Sequence, residues 1–350
     1  MKKIKFGKKF IGGKKCFVVA EVSANHCQSL DKAFKLIEIA KKSGADAVKF
    51  QTYKPSSLAL KVRENQFKSS VKNSPWKKFK DRYSLFEKAY FPWEWHKDIF
   101  NKAKKIGIDI FSSPFDLEAV DLLEKLKCPG YKIASSEITD ISLLKKVART
   151  KKPVIVSLGL AELKDINLSV KTLRKNGCKE LVLLKCQAHY PAEPENLNLL
   201  SLKLLSKKFN CHVGFSDHTL GMGSSISAVA LGGKLIEKHI KLENEKKSVD
   251  AFFSMGPKDF KKMVNEIRIA EKAVGVKTFK IDKKTKKALS GRRSLFASKD
   301  IKKGEIINKD NIKSVRPFTG LHPKYLEKVL GKKAKKSLPY GKPLKLGDFN

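Results

Sequence analysis

Eight times before residue 275, a short run of β-branched or other apolar residues closes on a polar side chain and gives way to a stretch with helical spacing. The runs cover residues 16–21, 47–51, 108–113, 131–135, 154–157, 181–186, 212–216 and 235–239. Apolar strands alternating with amphipathic helices predict a parallel sheet, and eight such units close a (β/α)8 barrel. The helical stretches carry the expected faces. Residues 30–43 place Leu30, Ala33, Phe34, Ile37 and Ala40 on one side, and residues 257–274 do the same with Phe260, Met263, Val264, Ile267 and Ala270. A further helix is expected around 94–106. Between Thr52 and Trp93 the alternation stops, and this Lys-, Ser- and aromatic-rich stretch reads as an extended βα loop over the barrel mouth.

Beyond Gly275 the pattern changes. Residues 276–290 are basic and poor in apolar positions, which suits a linker. From 291 to 350, short apolar segments at 294–297, 305–307 and 312–315 alternate with Gly, Pro and Asp-Asn punctuation. That predicts a compact, loop-rich module near the lower size at which a domain folds alone. The expected organisation is α/β: a TIM-type (β/α)8 barrel over 1–275, a linker, and a small C-terminal domain.

Composition narrows the class. The 350 residues are 41% hydrophobic and 31% charged, as in a folded globular protein. The basic first ten residues have no apolar segment behind them, and the longest uncharged stretch, 218–233, is broken by Gly and Ser. Neither a leader peptide nor a membrane span is therefore expected, and the expected location is the cytoplasm. A net charge of +40 raises the question of nucleic acid. Eight of the 75 basic residues are Arg and the other 67 Lys, spread at helix-surface spacing, whereas base-edge and bidentate phosphate contacts favour Arg. A solvated surface is the better reading; no nucleic-acid partner is expected, though a positive field would gather an anionic substrate. The six cysteines form no C-x-x-C pair and read as reduced thiols. Cys27 beside His26, and Cys186 near His189, lack the second half-site of a metal centre.

The strand ends carry the chemistry. In a barrel of this kind the active site is built from the C-terminal ends of the strands. Here they supply Glu21, Lys49 with Gln51, Ser112 with Ser113, Lys132 with Ser135 and Glu137, Ser157, Tyr190, Asp217 with His218, and His239. His218 and His239 end successive strands, about 5 Å apart, and two imidazoles with Asp217 or Glu237 nearby suit a Lewis-acid metal. Asp217 could equally orient an imidazole. Glu21 is a candidate general base. Lys49, Lys132, Ser135, Ser157 and Ser216 offer donors to an anion, and the loop Leu220-Gly221-Met222-Gly223-Ser224-Ser225 offers backbone N–H groups to a phosphate.

These residues stand in recognisable strings. Ala20-Glu21-Val22-Ser23-Ala24-Asn25-His26, Gly44-Ala45-Asp46-Ala47-Val48-Lys49-Phe50-Gln51-Thr52, Tyr131-Lys132-Ile133-Ala134-Ser135, Ser216-Asp217-His218-Thr219 and Glu237-Lys238-His239 resemble the sialic acid synthase family. Its members condense phosphoenolpyruvate (PEP) with an amino sugar to make nonulosonic acids. Gly291-Arg292-Arg293-Ser294-Leu295 and Ser314-Val315-Arg316-Pro317 resemble the family's C-terminal SAF (antifreeze-like) domain. Ala89-Tyr90-Phe91-Pro92-Trp93-Glu94-Trp95-His96, Phe111-Ser112-Ser113-Pro114-Phe115-Asp116 and Asp250-Ala251-Phe252 are most similar to the family's pseudaminic acid branch.

The resemblance implies a transferase that joins PEP to 2,4-diacetamido-2,4,6-trideoxy-altrose, giving a nine-carbon 2-keto acid and phosphate. His218 and His239 would hold Mn2+, or another divalent ion such as Mg2+ or Co2+. Lys49, Lys132, Ser135, Ser157 and Ser216 would surround PEP. Gln51, Glu137, Tyr190 and Asp250 would meet the sugar, and Glu21 would handle water or a proton. Arg316 would reach the sugar from the partner subunit of a domain-swapped homodimer. Three stretches depart from the family pattern: Ser157-Leu158-Gly159-Leu160, Cys186-Gln187-Ala188-His189-Tyr190 and Lys246-Lys247-Ser248-Val249-Asp250. The alternatives are an N-acetylneuraminate or legionaminate synthase, or a non-catalytic barrel that binds anions or nucleic acid.

Overall fold

A computed structural model describes residues 1–62, 67 and 75–350. The chain divides into two compact units, Met1–Gly275 and Val276–Asn350. In the first, an antiparallel hairpin of β1 (Ile4–Phe6) and β2 (Lys9–Ile11) precedes eight parallel strands. These are β3 (Phe17–Glu21), β4 (Ala47–Thr52), β5 (Asp109–Pro114), β6 (Tyr131–Ile133), β7 (Val154–Ser157), β8 (Leu181–Cys186), β9 (His212–Asp217) and β10 (Leu235–His239). They pair in sequence order, and β10 returns to β3 with Leu235 opposite Phe17 and His239 opposite Glu21, so the barrel closes. Strand residues are buried on both faces, which is why the runs read as continuous rather than alternating.

Helix α1 (Leu30–Lys42) follows β3, its first turn capped by Ser29, whose hydroxyl accepts from Lys32 N. The long loop after β4 contains α2 (Pro55–Leu58) and α3 (Arg82–Ala89), the latter capped by Asp81, which accepts from Ser84 N at 2.7 Å. The sequence periodicity had marked neither helix. Part of that loop, residues 63–66 and 68–74, lies outside the described residues. The outer layer continues with α4 (His96–Ile106), α5 (Leu117–Lys125), α6 (Ile141–Arg149), α7 (Leu163–Lys175), α8 (Ser201–Phe209), α9 (Gly223–Ala230) and α10 (Pro257–Val274), one after each remaining strand. Asp116 and Asp140 cap α5 and α6 by the same device, and Pro257 opens α10 where a missing N–H costs nothing.

The hairpin was not legible as structure in the sequence. Phe6, fully buried, packs edge-on against Phe17 and Phe111; Lys8 N donates to Asp109 Oδ2; and the His212 ring bonds the Lys2 carbonyl. Phe17, Asp109 and His212 are the first residues of their strands. The hairpin therefore plugs the N-terminal end of the barrel and leaves the opposite end open for a site.

The second unit holds α11 (Lys283–Lys287), β11 (Ser294–Ala297), β12 (Ile312–Val315) and α12 (Leu326–Val329). β11 and β12 pair antiparallel, Ser294 opposite Val315, over a separate small core that includes Leu295, Ile301, Ile312, Leu338 and Leu344. The basic stretch expected to be a linker carries α11, capped by Asp282. Residues 305–307 form no strand; Ile306 makes a single bridge to Lys333. Among the described residues, no helix is long and apolar enough to cross a membrane.

Candidate active site

The C-terminal end of the barrel opens on a cavity of about 340 Å³ whose floor is charged. Lys49 Nζ lies 2.8 Å from Glu21 Oε2 and 3.6 Å from Glu237 Oε1, and Lys132 Nζ lies 3.0 Å from the same Glu237 oxygen. Ser216 Oγ donates to that oxygen at 3.0 Å, while Gln51 Nε2 donates to Glu21 Oε1 at 3.0 Å and Lys49 Nζ to Ser113 Oγ at 3.2 Å. Two carboxylates and two ammoniums, all buried, thus balance in charge. Burial opposes charge on Glu237, but Lys132 and Lys49 outweigh it and hold its carboxyl down at about 2. Burial raises Glu21 above the usual carboxylate range despite Lys49, with the Glu237 charge adding to the rise. On Lys132 burial wins and lowers the ammonium, whereas on Lys49 the two carboxylates overcome burial and raise it.

Glu237 is the hub of this floor. In the sequence it stands only as a carboxylate near the histidines. Side chains alternate along a strand, so Glu237 shares the inward face of β10 with His239, and that spacing was the available signal. Its Oε2 is buried with no hydrogen-bond partner among the described residues.

The hydroxyls divide into held and free. Ser135 Oγ accepts from Gly159 N at 2.9 Å, while Ser157 Oγ is buried without a hydrogen-bond partner among the described residues. Gly159 is closely packed: a Cβ there would lie 3.0 Å from Ser135 Oγ and 3.1 Å from Cys186 Sγ. Asp250 accepts from Ser23 Oγ and, at 3.3 Å, from Ala24 N; burial raises its carboxyl.

His218 and His239 meet at the cavity wall with ring centres 5.3 Å apart. His218 Nδ1 donates to the Gln187 carbonyl at 2.8 Å, which leaves Nε2 with the lone pair, and Cys186 Sγ lies 3.8 Å from the same Nδ1. For His218, burial is outweighed by Cys186 and the Gln187 carbonyl, and the imidazole shifts up. For His239, burial and the neighbouring Lys49 and Lys132 ammoniums shift the imidazole well down, and its Nδ1 is buried without a hydrogen-bond partner among the described residues. Cys186 therefore meets His218 rather than His189. Among the described residues, no group of three or more His, Cys, Asp or Glu side chains is placed to hold a metal. The two imidazoles are the side chains here that would hold an ion.

Above the floor the walls turn aromatic. Trp76, from the long loop after β4, packs on Tyr190, Phe252 and Phe253, and its Nε1 donates to Val249 O at 2.9 Å. Tyr190 in turn lies against the His218 ring at 4.3 Å. On the other side Tyr53 meets Phe86 and Phe115 edge-on. Sequence spacing pointed to none of these except Tyr190.

Position separates several residues from the cavity. Glu137 lies beside the cavity rather than in its lining, where Ser136 stands; Ser136 Oγ donates to it at 2.7 Å and burial raises it to about 7. Gln187 and His189 are also outside the lining, whereas Ala188 and Leu160 belong to it. The loop from Leu220 to Ser225 does not reach this cavity and lines separate ones on the barrel's flank. Asp217 touches neither imidazole; its carboxylate is taken by Thr219, Ser225 and Lys238. Arg316 is exposed in the second unit, directly after β12.

Residues 36–279 match the NeuB family and residues 292–350 the SAF domain. The chain is 45% identical over 336 residues to the pseudaminic acid synthase of Campylobacter jejuni, covering 96% of this chain and 97% of that protein. It is 40% identical to the N,N'-diacetyllegionaminic acid synthase of the same organism, covering 93% and 97%. Among solved structures, the N-acetylneuraminic acid synthetase of Leptospira borgpetersenii, in complex with citrate, superposes with a TM-score of 0.72 at 28% identity, covering 82% of this chain and 95% of that one. A closed eight-stranded barrel with this charged floor, followed by a SAF domain, makes the chain a member of the NeuB family.

Proposed function

We propose that the protein is a pseudaminic acid synthase, condensing PEP with 2,4-diacetamido-2,4,6-trideoxy-altrose to give a nine-carbon 2-keto acid and phosphate. The observation that carries the chemistry is the cavity floor, where Lys49, Lys132 and the unpartnered Ser157 hydroxyl face the same space as the paired imidazoles. PEP needs several cationic and hydroxyl donors in a water-poor setting, and preorganised donors are worth most there.

His218 and His239 fit a divalent ion, because their ring centres lie 5.3 Å apart and one ring keeps a buried nitrogen with no hydrogen-bond partner among the described residues. Such an ion, Mn2+ or alternatively Mg2+ or Co2+, would polarise the aldehyde of the open-chain sugar. Lys49, Lys132, Ser135, Ser157 and Ser216 hold PEP so that its C3 faces that carbonyl carbon. The C2=C3 bond of PEP opens to make the new C–C bond, the carbonyl electron pair moves to the sugar oxygen, and an oxocarbenium is left at C2. Of the two protons of the water that adds next, one ends on that sugar oxygen and the other leaves with phosphate. Glu21, backed by Gln51 and Lys49, positions the water that adds there and takes up its proton. The tetrahedral intermediate then expels phosphate. Gln51, Tyr190 and Asp250 face the sugar from the wall, with Glu137 set just behind it.

The choice of sugar rests on the pseudaminic branch relatives and on the rim. Tyr53, Phe86 and Phe115 offer an apolar surface that suits a 6-methyl group and acetamido methyls. The legionaminic relative supports a second reading, the same chemistry on another acetamido sugar. Phosphate release measured with PEP, the altrose derivative and Mn2+ should require all three. Release that persists in EDTA, or no product with any amino sugar, overturns the chemistry; a preference for N-acetylmannosamine in side-by-side turnover overturns the choice of sugar.

A further inference from the structure

On the outer side of the barrel wall, behind the two histidines, lies a closed knot of buried polar groups. Side chains alternate along β9 and β10, so Ser216, His218, Glu237 and His239 face the cavity while Asp217 and Lys238 face the helical layer. Asp217 and Lys238 are register partners across the two strands. Their side chains meet at 3.0 Å, with 0% and 2% of their surfaces exposed. Asp217 Oδ1 accepts from both the backbone N and the hydroxyl of Thr219 at 2.8 Å, and its Oδ2 accepts from Ser225 Oγ at 2.6 Å. Lys238 Nζ donates further to the Thr219 carbonyl.

Asp217 and Thr219 flank His218, and Lys238 directly precedes His239. The knot thus grips the backbone on both sides of one imidazole and immediately before the other. It also ties in α9 through Ser225. The preceding outward residues on these strands, Phe215 and Ile236, are fully buried apolar side chains, so packing alone would be served by more of the same. A buried ion pair contributes little net stability compared with well-packed apolar residues. What it adds is direction, because its hydrogen bonds hold in one register only.

We propose that the Asp217–Lys238 pair is a positioning device that sets the spacing of the His218 and His239 imidazoles for a shared divalent ion, without touching either ring. This rests on the metal reading given above and goes beyond it by placing the control of metal affinity outside the site. The test uses the full-length protein freed of metal by chelation. It compares wild type, Asp217→Asn, and the double variant Asp217→Leu/Lys238→Met, which removes both charges together. Mn2+ binding is read by electron paramagnetic resonance of the free ion, and Co2+ geometry by visible absorption. Both variants should bind Mn2+ more weakly by about 10–100-fold, the range for groups that support metal ligands indirectly. The Co2+ spectrum should change, and the double variant should unfold near the wild-type temperature.

A folded double variant with Mn2+ affinity within about twofold of wild type, where a 10–100-fold loss is expected, and an unchanged Co2+ spectrum overturns the proposal. So does a double variant that cannot fold, since the pair would then serve folding rather than spacing. Failure of the metal reading shows separately, in wild-type protein that binds neither ion or in His218→Ala protein that binds both as well as wild type.

Discussion

Single residues separate function from support most clearly where a polar atom is buried without a partner. Ser157 Oγ is such an atom. A hydroxyl kept for folding would be bonded, because leaving it unsatisfied costs about 1–3 kcal/mol. Ser157→Ala should therefore leave the unfolding free energy unchanged or raise it, while weakening PEP binding measured by calorimetry. Loss of stability with intact PEP affinity would reverse the assignment. Glu137 presents a different case. Its carboxyl rises through burial from an ordinary 4.5 to about 7. The folded state then holds the proton more tightly than the unfolded chain. The stability this contributes is complete below about pH 4.5 and lost as pH rises through about 7. Glu137→Gln carries no such proton. Urea midpoints followed across that range should fall less steeply for the variant, and parallel slopes would show that Glu137 is not the group responsible.

At the scale of elements, the site depends on how closely the segments after successive strands approach one another. Gly159, just past β7, presses its N–H onto Ser135 beyond β6 and lies close to Cys186 at the end of β8. A methyl group there would need Ser135, Cys186 and the Ala188 backbone, 3.3 Å away, to give way. Gly159→Ala should cost about 1–3 kcal/mol in chemical denaturation, the usual price of overpacking. It should also raise KM for PEP more than KM for the sugar, because the displaced groups belong to the floor. Equal changes in both would place PEP elsewhere. The long loop after β4 works at the same scale: it brings Trp76 across the mouth to Tyr190 and Phe253, joining segments far apart in the chain.

For the whole molecule, the sharpest question is how the second unit serves the first. Val276–Asn350 has its own core and carries Arg316 exposed after β12. In the swapped dimer that the family resemblance implies, Arg316 of one protomer would reach the sugar site of the other. Arg316→Ala should then lower sugar turnover by about 2 kcal/mol or more in kcat/KM, with metal affinity retained. Mixing it with Glu21→Ala protein, under conditions that exchange subunits, should restore part of the activity, since one pairing unites both intact groups. Demonstrated exchange without recovery would rule out the swap.

What the sequence by itself determined about this protein is local in origin. The alternation of apolar runs and helical faces marked all eight barrel strands to within a residue or two, because each strand's burial on both faces is written into consecutive positions. The polar residues closing those runs marked one end of the barrel. Tertiary structure alone decided how these pieces meet. Closure of β10 on β3 brings Glu21 and Glu237 around Lys49. The hairpin's three-residue strands are too short to show a period, and only their packing beneath Phe17 and Phe111 reveals a plug. Asp217 looked from sequence like a partner for an imidazole, yet alternation within a closed barrel turns it outward to Lys238. Periodicity encodes the face on which a side chain lies; its partner depends on which distant strand closure sets beside it.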